Sequence, residues 1–306
     1  MKITVATEKP FAPAAVKLIK DTVEKAGYEF ELLEKYSDNQ QFIDAAKNTD
    51  SLIIRSDKAT KEVLEAGDRL KVIVRAGAGY DNIDLAVATK KGIVAMNTPG
   101  QNSNAVAELA IGMMVLMARG KYNGKSGTEL KGKTIGIHAY GNVGKLVAKI
   151  AKGFGMEVFA FDPFVKKEDI EKDEVKVLNS AEELYSTCQY VSLHIPANDK
   201  TKQSINYNLL KTMPEGATLV NTARKEVIDE DEMLKLMAER SDFTYISDIA
   251  PIKRADFEEK FAEQVFFTPK KSGAQTVEAN LNAALASANQ IINYFENGDV
   301  TFQVNK

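Results

Sequence analysis

The hexapeptide Ala139-Tyr140-Gly141-Asn142-Val143-Gly144 lies between a β-branched run at 134–138 and a helical pattern that begins at Lys145. A glycine-rich turn at a strand–helix junction is the arrangement that cradles a dinucleotide pyrophosphate. Gly141 lets the backbone approach the phosphates, and Gly144 lets helix and strand pack closely. The free N–H groups of the first helical turn, reinforced by the helix dipole, favour the negative charge. Ala139 stands where the GxGxxG pattern has its first glycine, so the turn alone is a degraded signal. Asp162 strengthens it, closing the next run, Val158-Phe-Ala-Phe161, eighteen residues after Gly144. A carboxylate there accepts hydrogen bonds from the ribose hydroxyls and repels a 2′-phosphate, which predicts NAD rather than NADP.

Hydride transfer from a secondary alcohol to such a cofactor asks three things of a protein. A cation must hold the substrate and polarise its reacting oxygen, a proton acceptor must sit at that oxygen, and the nicotinamide must lie on one face of the carbon. Arg224 fits the first need, just beyond a strand-like run at 218–221, and its planar fork suits a carboxylate and a neighbouring oxygen together. In Arg55-Ser56-Asp57-Lys58 two cations and a hydroxyl follow another strand-like run; Arg55 and Lys58 could balance a phosphate dianion, with Ser56 adding a hydrogen bond. The turn Ala76-Gly77-Ala78-Gly79 could offer the amides of Ala78 and Gly79 to a carboxylate. It lacks the third glycine of a cofactor turn. Of the two histidines, His138 sits in a buried-strand pattern and reads as a core residue. A single cysteine, Cys188, excludes an intramolecular disulfide, and no cluster suggests a metal site.

These residues must be positioned by alternating elements. Short β-branched runs near 3–6, 29–33, 51–54, 72–75 and 93–96 alternate with helical stretches such as 14–25 and 84–89. A long apolar helix at 104–118 leads into a glycine-bearing loop at 120–127. A second series of strands follows at 134–137, 157–161, 175–178, 191–195, 218–221 and 244–249, and a helix at about 276–297 closes the chain. Such alternation predicts an α/β protein with two doubly wound parallel sheets. The 306 residues suffice for two domains, and 44% hydrophobic with 27% charged residues is a globular balance. A net charge of −3 without a basic block argues against nucleic-acid or anionic-membrane partners. The apolar stretch at 105–118 contains Glu108 and is too short to cross a bilayer. The N-terminus has no signal-peptide pattern, so the expected location is the cytoplasm.

Several blocks resemble the D-2-isomer-specific 2-hydroxyacid dehydrogenases. They are Arg75-Ala-Gly-Ala-Gly-Tyr-Asp-Asn-Ile-Asp84, Asn102-Ser-Asn-Ala-Val-Ala-Glu-Leu-Ala110, Leu130-Lys-Gly-Lys-Thr-Ile-Gly136, Val191-Ser-Leu-His-Ile-Pro196, Leu219-Val-Asn-Thr-Ala-Arg224 with Val227-Ile-Asp229, and Gly273-Ala-Gln-Thr-Val-Glu278. They occur in family order over essentially the whole chain. The resemblance implies Rossmann- and flavodoxin-like domains, with an NAD-binding domain at 99–276 inserted into a substrate domain at 1–98 and 277–306. It implies a homodimer built largely by the cofactor domains and the 104–118 helix. It gives Arg224 the substrate carboxylate, Ala78 and Gly79 a share of that carboxylate, and Asp248 the nicotinamide carboxamide. It lines the cofactor with Tyr140, Asn142, Val143, His194, Pro196, Thr201, Thr222, Ala223 and Gly273, beside Gly141, Gly144 and Asp162. Within the family the chain resembles the short D-3-phosphoglycerate dehydrogenases, which have no regulatory domain, so the implied substrate is a small phosphorylated hydroxy acid.

Two departures stand out. The family pairs a histidine in PHxGAxT with a glutamate five residues past the aspartate at 248. Here the glutamate's place is Lys253, and the GAxT block reads Thr268-Pro269-Lys270-Lys271-Ser272-Gly273-Ala274-Gln275-Thr276. Counted back from Gly273 the histidine's place is Lys271; counted from the proline it is Lys270. A lysine base needs neighbouring cations and burial to favour its neutral form, whereas a glutamate would oppose that. Losing histidine and glutamate together is therefore consistent with Lys271, or Lys270 in reserve, as the proton-transferring residue.

Overall fold

The computed structural model describes residues 1–305 and divides into two compact units, Met1–Asn102 with the segment from Thr276 onward, and Ser103–Gln275. In the first, strands β1 (Lys2–Thr7), β2 (Glu29–Glu34), β3 (Ser51–Ile54), β4 (Val72–Arg75) and β5 (Val94–Asn97) pair in the order β2-β1-β3-β4-β5, each pair parallel. Alternate residues face opposite sides, and both sides are covered. Val5, Ile53, Val72 and Val74 pack with helices Pro13–Lys25 and Val277–Asn297 through Ile19, Ala284 and Ile291. Leu52, Ile54 and Ile73 face Phe42, Val63, Leu64 and Ala88 on helices Asn39–Lys47, Lys61–Ala66 and Leu85–Lys91. A strand buried on both faces has no polar side to show, which is why Ser51-Leu-Ile-Ile54 is an almost unbroken apolar run. Each such aliphatic side chain contributes about 1.5–3 kcal/mol on burial.

The second unit holds β6 (Thr134–His138), β7 (Glu157–Phe161), β8 (Lys176–Val177), β9 (Tyr190–Leu193), β10 (Thr218–Asn221), β11 (Thr244–Ser247) and β12 (Val265–Phe267). Their order is β12-β11-β10-β9-β6-β7-β8, again parallel throughout. Val191, Leu193 and Leu219 enter one core, and Ile135, Ile137, Val220 and Ile246 the other. The order reverses between β6 and β9, the switch point where open α/β sheets bind ligands at the carboxyl ends of their strands.

The elements follow their local chemistry. Pro13 opens the first helix; Asp84 caps the next-to-last helix of the first unit by accepting the Val87 amide, and Gly92 ends that helix at φ 71°. Thr276 caps the closing helix through the Ala279 amide. One strand was not expected from sequence: Val265-Phe-Phe267 is too short for alternation to distinguish it from a buried helical turn. The expected strand at 175–178 pairs over only two residues, and the expected 244–249 strand ends at Ser247.

Candidate functional site

The candidate cofactor residues of the second unit all follow carboxyl ends of neighbouring strands. After β6 the chain turns through Ala139 at φ 80°, a left-handed conformation usually left to glycine. Its amide donates to Phe161 O at 2.9 Å, and the Tyr140 amide donates to Asp162 Oδ2 at 2.7 Å. Asp162 Oδ1 accepts the amides of Phe164 and Val165 at 2.8 and 3.2 Å. The carboxylate at the end of β7 thus fixes both its own turn and the glycine turn beside it.

Gly141 caps helix Asn142–Gly153, and a Cβ added there would meet nothing within 4 Å. A Cβ at Gly144 would lie 2.3 Å from Ala139 O and 2.9 Å from Ile137 Cγ2. Gly141 therefore leaves the helix start approachable, while Gly144 permits tight packing on β6. Asn142 is exposed and Val143 half-buried on the first helical turn. Tyr140 points the other way: its ring is buried and its hydroxyl donates to Asp173 at 2.9 Å. Burial and that hydrogen bond push its phenol well above its ordinary range. What Tyr140 contributes to the turn is its backbone.

After β9, the His194 amide donates to His138 O at 2.9 Å and its Nε2 lies 3.0 Å from Ser192 Oγ. His138 is buried, with Nδ1 3.2 Å from Tyr185 Oη. Burial lowers His138 to about 4, against the opposing pull of Asp162 and Glu182. Burial, with His138 nearby, lowers His194 to about 3. Both imidazoles are neutral near pH 7, and neither is poised to exchange a proton there. Thr201 Oγ1 donates to Pro196 O and accepts the Asn198 amide at 2.9 Å, fixing the loop beyond.

After β10, Asn221 folds the turn on itself: Oδ1 accepts the Ala223 amide at 2.9 Å and Nδ2 donates to Arg224 O at 3.0 Å. The Thr222 hydroxyl is buried without a hydrogen-bond partner among the described residues, an observation that fits a cofactor amide or hydroxyl arriving at this edge. Arg224 is exposed, and one Nη1 hydrogen donates to Ala223 O at 3.0 Å, which leaves most of its fork available.

After β11, Asp248 is 1% exposed. Its Oδ1 accepts Thr268 Oγ1 and the Ser272 amide at 2.9 and 2.7 Å, and its Oδ2 accepts the Gly273 amide at 2.8 Å. A Cβ on Gly273 would lie 2.9 Å from that oxygen. Asp248 therefore organises the loop after β12, which carries Lys270 and Lys271. Both lysines are exposed, so the burial expected to favour a neutral amine is not supplied by this unit. Lys253, where the sequence reading looked for a glutamate, pairs with Asp231, and its amide and that of Ile252 donate to the buried Glu230 carboxylate. Hydrogen bonding to Asp231 raises its pKa. That side chain faces the start of helix Glu230–Glu239.

The carboxyl edge of the first unit carries the remaining candidates. Arg55, half-buried after β3, donates from Nη1 to Lys9 O and Pro10 O at 3.2 and 2.8 Å and from Nη2 to Asn280 Oδ1 at 3.1 Å. The guanidinium lies 5.0 Å above the Phe11 ring. Its Nε–H and one Nη2–H are unengaged among the described residues, so an anion could still be received in two-point fashion. Ser56 and Lys58 are exposed. In the glycine turn, Asn97 Nδ2 donates to Ala78 O at 2.6 Å and the Thr98 amide to Gly77 O at 3.0 Å. These bonds use the turn's carbonyls, while Ala78 is exposed and Gly79 half-buried. Arg75, which the sequence reading took only as a strand end, donates from Nε to Arg55 O at 3.0 Å. A Cβ on Gly77, at φ 149°, would lie 1.6 Å from Arg75 Nη1, so the glycine leaves room for this guanidinium across the turn. The signal was present as an arginine directly preceding Ala-Gly-Ala-Gly.

Among the described residues no group of three or more histidine, cysteine, aspartate or glutamate side chains is placed to hold a metal, and no helix is long and apolar enough to cross a membrane.

Comparison with known proteins identifies the family. Residues 91–270 match the family model "D-isomer specific 2-hydroxyacid dehydrogenase, NAD binding domain". The chain is 35% identical over 274 residues to a D-3-phosphoglycerate dehydrogenase of Methanocaldococcus jannaschii, covering 82% of this chain and 51% of that one. It is 37% identical over 219 residues to a hydroxypyruvate reductase of Thermotoga maritima, covering 67% and 70%. The chain spans about half the length of the phosphoglycerate dehydrogenases among its curated relatives. The crystal structure of NAD+-bound 3-phosphoglycerate dehydrogenase of Entamoeba histolytica superposes with a TM-score of 0.89 at 48% identity, covering 100% of this chain and 99% of the other. Residues 91–270 thus carry the family's NAD-binding domain, and this chain belongs to the D-isomer-specific 2-hydroxyacid dehydrogenases.

Proposed function

We propose that the chain oxidises D-3-phosphoglycerate at C2 to 3-phosphohydroxypyruvate with NAD, and runs the reverse reduction, as the first step of phosphorylated serine biosynthesis. The observation that carries this reading is the alignment of Arg224, Asp248 and the Lys270-Lys271 loop on three adjacent strand ends of an NAD-binding sheet. Similarity to relatives named for that substrate supports it, as do the paired cations Arg55 and Lys58. The segments 1–98 and 277–306 serve as the substrate domain and 99–276 as the NAD-binding domain.

The residues present fit the dinucleotide. The amides opening helix Asn142–Gly153 would take the pyrophosphate, Asp162 the ribose and Thr222 its one missing partner. His194, Pro196 and Thr201 would flank the adenine side, and Ala223, Asp248 and Gly273 the nicotinamide side. When bound, NAD accepts a hydride from C2. Arg224 holds the substrate carboxylate and polarises the C2 oxygen, assisted by the Ala78 and Gly79 amides. Lys271 Nζ, entering as the neutral amine, takes the C2 hydroxyl proton as the hydride leaves and returns it in the reduction; Lys270 is the reserve candidate. Arg55, Ser56 and Lys58 take the phosphate. The reading also includes a homodimer in the cytoplasm, with no nucleic-acid partner.

Initial rates with D-3-phosphoglycerate, each with NAD and NADP, test the assignment. Activity should be strong with NAD. A preference for unphosphorylated hydroxypyruvate in the reductive direction would instead favour the activity for which the Thermotoga maritima relative is named. Lys271→Ala should lose about 10²–10⁴-fold in rate while NADH binding survives. If Lys270→Ala alone shows that loss, the two lysines exchange roles, and if neither variant nor the double variant loses rate, the lysine assignment is wrong.

A further inference from the structure

The carboxyl edge of the five-stranded sheet contains a buried acid with no part in the roles assigned above. Asp57 stands between Ser56 and Lys58 and is 7% exposed. Its Oδ1 accepts the Glu8 amide and the Tyr36 hydroxyl, each at 2.7 Å, and its Oδ2 accepts the Arg55 amide at 3.2 Å. Asn82 Nδ2 donates to Asp57 O at 2.7 Å and also reaches Arg55 O at 3.2 Å. Glu8 follows β1, Tyr36 follows β2, Arg55 follows β3 and Asn82 follows β4. Four strand ends therefore converge on one residue.

A buried carboxylate is costly unless its oxygens are satisfied, and bonds to an ionised acceptor are roughly twice as strong as neutral ones. One oxygen of this acid is satisfied by donors from two other loops and the second by the Arg55 amide of its own loop, so the carboxylate ties the 55–58 backbone to its neighbours. Burial, then the hydrogen bond to Asp57, raises the Tyr36 phenol, which keeps it a donor. The Arg55 side chain is restrained separately, by Lys9 O, Pro10 O, Asn280 and the Phe11 ring. Backbone and guanidinium are thus held by two independent sets of contacts.

We propose that Asp57 is the positioning residue of the phosphate-reading loop, presetting the 55–58 backbone so that Arg55 and Lys58 meet a phosphate monoester at fixed spacing. The proposal rests on the assignment of Arg55 and Lys58 above. Ordering the loop before the ligand arrives removes that entropy cost from binding, so the effect belongs in substrate affinity and not in the chemical step.

The test uses the full chain with NAD and D-3-phosphoglycerate, with inorganic phosphate and D-glycerate as competitive inhibitors and NADH binding followed by fluorescence. Asp57→Asn should raise KM for phosphoglycerate about ten- to hundredfold, with kcat within about twofold. The inhibition constant of phosphate should rise in parallel, while those of D-glycerate and NADH stay put. Tyr36→Phe, which keeps the acid and removes one donor, should raise the same KM by about two- to fivefold, and it decides the matter if Asp57→Asn does not fold. A fall in kcat at unchanged KM, or an equal rise for phosphate and D-glycerate, overturns the proposal. So does an unchanged KM in both variants when Arg55→Ala raises it. If Arg55→Ala itself leaves KM for phosphoglycerate unchanged, the phosphate assignment of the loop fails, and the positioning role with it.

Discussion

The Asp162 carboxylate receives the Tyr140 amide at 2.7 Å, so the residue proposed to hold the ribose also braces the glycine turn. Removing it should have two separable effects. Asp162→Ala should erode discrimination against NADP, because the charge that repels a 2′-phosphate is gone. It should also destabilise the fold by about 1–3 kcal/mol, because three amides lose their acceptor. The ratio of kcat/KM for the two cofactors reads the first effect and a urea midpoint the second. An unchanged cofactor ratio would refute the ribose assignment even if stability fell.

Asp248→Asn should loosen the loop after β12. The amide side chain offers one acceptor oxygen where the carboxylate offers two, so it cannot serve Thr268, Ser272 and Gly273 together. Amide hydrogen exchange at 272–273 should speed up, and kcat should fall with the misplaced lysine loop. Unchanged exchange at those two amides would mean that the loop is held by something else.

Ala139→Gly should stabilise the protein. At φ 80° an L-side chain costs roughly 1–2 kcal/mol, and part of that gain is offset by the greater freedom of glycine in the unfolded chain. The expected net is a gain of about 0.5–1 kcal/mol in unfolding free energy, read as a raised urea midpoint, with NADH affinity unchanged. Gly144→Ala, two residues into the helix, should do the reverse, costing about 1–3 kcal/mol because its Cβ would overlap Ala139 O.

The two histidines predict acid sensitivity. Their folded-state values, about 4 and about 3, lie below the unfolded value near 6.5. Between those limits the unfolded chain binds more protons, so stability is full above pH 6.5 and falls as pH drops toward 3. The slope reaches at most roughly 1.4 kcal/mol per pH unit for each histidine. Urea midpoints at pH 7, 6 and 5 check this above the range where most carboxylates titrate, and His138→Gln should flatten the curve. A wild-type midpoint constant from pH 7 to 5 would contradict it.

How much of this is legible in the sequence depends on the reach of each contact. The glycine turn and Asp162 can be read because a strand, a turn and the next strand form one local unit with fixed spacing. The doubly wound sheets can be read because a strand buried on both faces becomes an apolar run, as at 51–54. Asp57 cannot: its partners Glu8 and Tyr36 lie 49 and 21 residues away, and only the pairing of β1, β2 and β3 brings them together. Arg75 is visible as a residue, but its fold across Gly77 is a matter of side-chain direction that spacing does not encode. Lys253 shows the opposite limit. Its charge is plain in the sequence, while its ion pair with Asp231, 22 residues away, is not.

Parallel sheets of this kind confine ligand chemistry to loops that follow separate strands, and each loop can drift in sequence without disturbing the barrier of packed β-branched residues beneath. Such a design evolves in parts. Asp248 links two of them, as Asp162 and Asp57 do elsewhere: it follows β11, yet its carboxylate shapes the loop after β12. Those two loops are mechanically coupled. Lys253 lies on one of them and Lys270-Lys271 on the other, so a displacement of either lysine-bearing loop is passed to its neighbour through a single carboxylate.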